Sequence, residues 1–379
     1  MRPTPVRRPP AAGTASTPAP ARRRGRRVRV AALLALAVLA PAACSAGATA
    51  PAPTPTVTVD APVEPAKAAP PPPTLAPRWP LTGVETTEVA ARPALSVKIE
   101  NSTQARPQTG LEQADVVWEE VVEGGISRFV AVYHSQVPEE VGPIRSVRPM
   151  DGAINAPLGG LLAFSGGQPR YVQAIGATGV QLVSMDAGDA GFYRKRGVAP
   201  APHNVYGTPT TFWSQADASR TVPPAEPLSF ARTPEAASAV RLGTPATRVV
   251  PTFSPVERPS WDWDAASGTW LRSESGVPAT ARSGTRLAAT NVVALSVQLD
   301  PDVGTDPAGN PVPETILAGS GGEGVLATGG RTVPVSWSKG AEPTAPLVLT
   351  TGDGQTATLA PGTTWIELVP VTTGSIEVG

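Results

Sequence analysis

Cysteine and histidine are almost missing from this sequence: 379 residues hold one cysteine, Cys44, and two histidines, His134 and His203. A zinc site built from these residue types wants three or four of them, so one is close to excluded. A lone thiol can form no intramolecular disulfide. Aromatic residues are scarce as well, at 5%, although valine, isoleucine and leucine are plentiful enough to build cores. Motifs that announce a reaction are also lacking. No GxSxG marks a nucleophile elbow, and the glycine pairs at Gly124-Gly125, Gly166-Gly167 and Gly321-Gly322 lack the lysine and spacing of a phosphate-binding loop. The glycine-rich GSGGEG, Gly319 to Gly324, has no helix after it and reads as a turn. Asp300, Asp302, Asp306 and Asn310 invite a calcium loop, but Gly304 stands where a third oxygen ligand belongs and Pro311 where the bidentate glutamate belongs. A solvated turn is expected there. No metal and no cofactor is expected anywhere.

The acids have an uneven distribution that the formal net charge of +0 conceals. Nine arginines and no acid fall within the first 43 residues, and VAALLALAVLA, Val30 to Ala40, follows. A charged segment and then a short apolar run is the pattern of a signal peptide, residues 1–43, and the run is shorter than the roughly 20 residues a bilayer span needs. Pro41-Ala42-Ala43 places small residues before Cys44, which is read as a lipid-attachment site in the manner of a bacterial lipobox, although proline stands where leucine is usual. Removal of the signal leaves 22 basic against 31 acidic residues, a net charge near −9. Such a chain is a poor nucleic-acid binder, because binding needs clustered lysine and arginine to displace counterions.

From Cys44 to about residue 78 the chain is mostly alanine, proline, threonine and valine, with no aromatic residue and no apolar period. Proline favours extended polyproline II, so this segment is expected to be a tether. About 300 residues follow, enough for two domains. LSVKIEN, ADVVWEEVV and SRFVAVYHS read as strands, with Gly124-Gly125 able to supply a two-residue hairpin turn. Helical spacing of Glu112, Asp115, Glu119 and Glu123 competes with that assignment, but the β-branched content of 116–122 favours a strand. LLAFSGG, PRYVQAIGATG and VQLVSMD suggest a strand, a helix and a strand, hence an α/β or α+β first module with a mixed sheet and helices. That module is placed at 79–222, a connector with a short helix at 223–243, and a β-rich second module at 244–379, where short strand-like runs alternate with Gly, Asp and Pro.

ARPQTGLEQADVVWEEVVEGGISRFVAVYHS, then GPIRSVRP and FYRKRGVAPAPHNVY, closely resemble the YerB-like bacterial lipoproteins. The likeness continues through NVVALSV, GSGGEGVL, VSWSKG and PGTTWIELVP and covers most of the chain after Trp79. It implies a two-module envelope lipoprotein of unknown function and brings no catalytic residues. SESGVPATARSGTRL departs from the family pattern in lacking a histidine.

The residues able to do chemistry gather in the first module. Arg145 and Arg148 in GPIRSVRP, Arg194, and Arg128 with Glu123 across the hairpin offer guanidinium forks for a carboxylate or phosphate, with Lys195, Arg196 and Asn204 nearby. The bland alternative is a set of surface ion pairs, each worth under about 1 kcal/mol. Two functional classes follow. One is an exported protein, lipid-anchored to the outer face of the cell membrane, that binds an anionic wall polymer, a glycan or an envelope protein through this site. The other is a hydrolase or transferase on envelope polymers, with His203 as base and Glu123 or Asp186 as acid or orienter. His134 is expected to be a structural strand-end histidine.

Overall fold

The computed structural model describes residues 75–379. The expected signal peptide at 1–43, Cys44 and the tether through residue 74 lie outside the described residues. No described helix is long and apolar enough to cross a membrane.

Strand β1 (Leu95–Glu100) pairs antiparallel with β3 (Ser127–Tyr133), which pairs antiparallel with β2 (Val116–Val121). The β2–β3 hairpin closes where the Val122 N–H donates to the Ile126 carbonyl at 2.8 Å. Its loop is therefore Glu123-Gly124-Gly125, one residue longer than expected from the glycine pair. Gly124 and Gly125 have φ of 73° and 75°, a region where a Cβ is disfavoured. The helical spacing of the acids gives way to the strand, and Glu119 and Glu120 are both fully buried. A strand sends neighbouring side chains to opposite faces, so these two carboxylates enter two different cores.

After helix α1 (Asp151–Asn155), β4 (Leu161–Phe164), α2 (Pro169–Ala177) and β5 (Gln181–Ser184) form the expected strand–helix–strand unit, with β4 parallel to both β1 and β5. Proline opens α2, where its missing N–H costs nothing, and Tyr171 and Ile175, one turn apart, are its buried residues. A small hairpin of β6 (Phe192–Arg194) and β7 (Val205–Gly207) precedes the five-residue helix α3 (Pro209–Trp213). Helices here are few and short, so the first module is mostly sheet and less helical than the α/β or α+β expectation.

The remaining elements are almost all strands. Helix α4 (Ser238–Leu242) leads into β8 (Thr244–Pro245), β9 (Arg248–Thr252), β10 (Pro259–Asp264), β11 (Thr269–Glu274), β12 (Val277–Pro278) and β13 (Ala288–Ala289). Then come β14 (Asn291–Asp300), β15 (Glu314–Ile316), β16 (Ser320–Thr328), β17 (Arg331–Lys339), β18 (Leu347–Thr351), β19 (Thr364–Pro370) and β20 (Ser375–Val378). GSGGEG lies largely within β16, not in a turn. Its glycines are required by close strand approach: a Cβ on Gly324 would meet the Ala294 carbonyl at 2.5 Å, and one on Gly322 the Ser296 carbonyl at 2.7 Å. Glycine's low strand propensity hid this strand from the sequence.

The large mixed sheet runs β18-β17-β16-β14-β19-β2-β3-β1-β4-β5, with β15 added to β14 and β8 to β17. β19 lies parallel to β2, Thr364 beside Val116, so segments before and after the connector are neighbours in one sheet. The sequence boundaries at 222 and 244 do not interrupt it, and the described residues fall in one compact unit. A second sheet, β12-β11-β10-β9-β20 with β13 on β11, covers one face. That face packs Leu95, Val97, Phe129 and Tyr133 with Trp261, Trp270 and Trp365. On the opposite face Trp118, Val130 and Val132 pack with Met150 and Ile154 around α1.

Candidate functional site

Lys98 and Glu100 follow each other on one face of β1, and register sets Glu100 and Glu120 on either side of Arg128 in the sheet. An arginine in the middle of a three-strand row has no direct route to water, and Arg128 is 5% exposed. Its Nη1 donates to the Ser146 carbonyl at 3.0 Å, and its Nη2 lies 4.0 Å from Glu123 Oε2. Arg128 Nε has no hydrogen-bond partner. Burial, helped by the Arg148 and Arg145 charges, pulls its pKa down to about 9.

The GPIRSVRP segment is laced between strands. Arg145 N–H donates to the Lys98 carbonyl, Ser165 N–H to the Arg145 carbonyl and Val147 N–H to the Gly166 carbonyl. This places Arg145 and Arg148 at the carboxyl end of β4, beside the glycine loop that opens α2. Parallel strands commonly present ligand sites at that end. Glu123 takes Arg148 in a two-pronged ion pair, accepting from Nε and Nη2 at 2.6 Å each. Arg145 Nε lies 3.4 Å from Glu100 Oε2, while Glu100 Oε1 accepts from His203 Nδ1 at 2.7 Å and from Ser102 Oγ at 2.9 Å. Three guanidiniums and an imidazole thus share two nearly buried carboxylates.

The other candidates are more dispersed. Arg194 is exposed and donates to Asn204 Oδ1 at 2.9 Å, next in sequence to His203, and makes no ion pair with Glu100 or Glu123. Lys195 pairs with Glu140 at 2.5 Å, and Arg196 is exposed. Asp186 is exposed, and His203 takes Glu100 as its carboxylate, so the expected pairing of His203 with Glu123 or Asp186 is corrected: Glu123 is already committed to Arg148. His134 ends β3 fully buried, with Nε2 3.1 Å from the Arg92 carbonyl and its ring edge-on to Trp79. Burial lowers its pKa, as a structural imidazole requires. In the DPDVGTDPAGN loop, Asp306 spends both oxygens on its own turn, accepting from Ala308 and Asn310. Among the described residues no group of three His, Cys, Asp or Glu is placed to hold a metal.

Glu100 was missed from the sequence because KIE reads as an ordinary strand. Two larger charged clusters were missed for the same reason. On the α1 face, fully buried Lys98 contacts Glu120 Oε1 and lies 2.8 Å from Asp151 Oδ1. On the opposite face, fully buried Arg272 bonds Glu119 Oε2 at 2.6 Å, Glu274 Oε1 at 2.7 Å and Glu367 Oε1 at 3.1 Å, with its guanidinium 4.8 Å over the Trp365 ring. Glu257 joins this cluster through Arg106 at 3.1 Å, and Arg106 and Glu274 face a cleft of about 420 Å³. The signal available was local: charged residues alternating inside apolar strand runs, as in VKIEN and VVWEEVV.

Comparison with known proteins follows the same outline. Residues 81–222 match the N-terminal domain, and residues 249–366 the C-terminal domain, of a family described as protein of unknown function DUF3048. The chain is 28% identical over 303 residues to YerB of Bacillus subtilis strain 168, whose name calls it a lipoprotein, covering 77% of this chain and 86% of that one. The crystal structure of the YerB protein from Bacillus subtilis is similar to this one with a TM-score of 0.67 at 26% identity, over 79% of this chain and 99% of that chain.

Proposed function

The chain belongs to the YerB-like two-module family of unknown function, and from that premise we propose that it is an exported lipoprotein binding an anionic envelope polymer through Arg128, Arg145 and Arg148. The observation that supports it is the excess of guanidinium over carboxylate in one place. Glu100 and Glu123, the two carboxylates these arginines contact, are outnumbered by the three guanidiniums, and like charges held this close favour an anion between them. Arg145 remains about a fifth exposed, with side-chain accessibility of 21%, so a ligand can reach it. Guanidinium forks match phosphate and carboxylate oxygens, which makes a phosphodiester or polycarboxylate chain the fitting class.

Binding of the purified protein to a polyglycerol phosphate chain tests this. Arg145→Ala is expected to weaken binding about tenfold, the loss of roughly 1.4 kcal/mol that one charge-assisted contact commonly supplies, with an unchanged melting temperature. Affinity should also fall as salt is raised. Equal affinities for wild type, Arg145→Ala and Arg148→Ala would remove the site.

Anchoring has its own test. Wild-type protein from membranes is expected in the detergent phase, and Cys44→Ala in the aqueous phase. Identical partitioning of the two contradicts lipidation at Cys44.

A further inference from the structure

The Lys98 cluster is built in a way that ion pairing alone does not call for. Lys98, Glu120 and Asp151 are each fully buried, within the apolar layer formed by Trp118, Val130, Met150 and Ile154. One ammonium there faces two carboxylates, with Arg128 beside Glu120 in the sheet, and holding that many charged groups away from water is costly. Lys98 Nζ lies 2.8 Å from Asp151 Oδ1 and also contacts Glu120 Oε1. Asp151 Oδ2 accepts the Arg148 N–H at 2.6 Å, a donor that would polarise the carboxyl group. Glu120 Oε2 is buried without any partner, free to exchange a proton.

We propose that Lys98 and Asp151 are joined by an intramolecular amide bond, formed between Nζ and Cγ with Glu120 carrying the protons. An amine and a carboxyl carbon held at about 3–3.5 Å in fixed orientation react as a unimolecular pair, and an oxygen of that carboxyl is already hydrogen-bonded to the amine. Glu120 first takes a proton from the ammonium. The freed lone pair on Nζ forms the bond to Asp151 Cγ, and the oxyanion develops on Oδ2 against the Arg148 N–H. The Cγ–Oδ1 bond then breaks, and its electron pair leaves with the oxygen. Two of the three ammonium protons pass through Glu120 to that oxygen, which departs as water; the third stays on the amide nitrogen. Glu120 ends as it began, and no oxidant or other reactant is needed. Burial, then the Asp151 charge, push the Glu120 pKa up to about 7, so the group is poised both to give and to take a proton at neutral pH. The product replaces the buried ammonium and one buried carboxylate with a neutral amide, Glu120 keeping the state it started in, and the dry core withholds the water that would hydrolyse it. The link ties β1 to the start of α1 across a separation of 53 residues.

Tryptic digestion of the denatured full chain, read by mass spectrometry, tests the bond. The expected result is a branched pair of peptides, one containing Lys98 and one containing Asp151, lighter than their sum by one water, with no cleavage after Lys98. Asp151→Ala and Glu120→Gln are each expected to give the two peptides unlinked. Unlinked peptides with cleavage after Lys98 in the wild type would overturn the proposal, whether or not either variant folds. A linked pair at wild-type yield in Glu120→Gln would overturn the role given to Glu120.

Discussion

Arg272→Ala is expected to be the most damaging single substitution in the described chain, lowering stability by about 3–5 kcal/mol, the usual penalty for removing one side of a buried ion pair. Arg272 serves Glu119 from β2, Glu274 from its own strand and Glu367 from β19. Without it, Glu119 and Glu367 would be left fully buried with no cation, and Glu274 nearly buried at the edge of the cleft. The guanidinium also lies over Phe129, Trp261 and Trp365 at 5.3, 5.4 and 4.8 Å, and those contacts would be lost as well. Domains are commonly stable by only about 5–15 kcal/mol, so a large share of the total is at stake. Urea denaturation at pH 7 measures the loss. Arg272→Lys keeps the charge without the planar fork and is expected to fall between the two. Because protonation neutralises stranded carboxylates, the deficit of Arg272→Ala should shrink as pH is lowered. An unchanged urea midpoint for Arg272→Ala would mean that the cluster contributes nothing to the fold.

The second large effect is a dependence on pH carried by the same cluster. Burial, then the charges of Glu119 and Glu274, push the Glu257 pKa up from 4.5 to about 7, and Glu367 is raised in the same direction by burial and by Glu119. A carboxyl whose folded pKa is raised is held protonated by the fold. Below about pH 4.5 both folded and unfolded chains carry that proton, and the whole contribution is present. As pH rises, the unfolded chain releases the proton first, so stability falls, and above about pH 7 the contribution is gone. For Glu257 the shift corresponds to on the order of 3 kcal/mol. Glu257→Gln cannot titrate, so its stability relative to wild type should improve steadily between pH 4.5 and 7. Taking the difference between the two proteins cancels the carboxylates they share. A difference that stays flat across that window would show that Glu257 is ionised in the folded protein throughout.

Local physics made much of this protein legible before any tertiary contact was known. An arginine-rich start, a short apolar run and a proline-rich stretch carry the expectation of export and a tether, which rests on composition and run length alone and falls on residues outside those described. β-branched runs and glycine turn chemistry located β2, β3 and their hairpin, and an apolar period ending at glycine located α2 between β4 and β5. Where local preference and tertiary demand diverged, the sequence misled. Gly321, Gly322 and Gly324 look like a turn, yet they are strand residues because a neighbouring backbone comes too near for a side chain.

The candidate site was legible as a list of residues and not as an arrangement. GPIRSVRP and the Glu123 loop announced arginines beside a carboxylate, and the structure brings Arg128, Arg145 and Arg148 together. It does not bring Arg194 to those carboxylates, and it gives His203 a partner, Glu100, that lies 103 positions away. What only the tertiary structure decided is which face each charge enters and what waits there. Glu119 and Glu120 are adjacent in sequence, but strand alternation sends one to Arg272, 153 positions distant, and the other to Lys98, 22 positions distant. No local period encodes such a pairing, because it depends on β19 lying beside β2 and on the second sheet closing over that face. The sequence by itself located most of the strands, since those follow from neighbouring residues; the register between distant strands, set by burial of both faces at once, decided which charges meet.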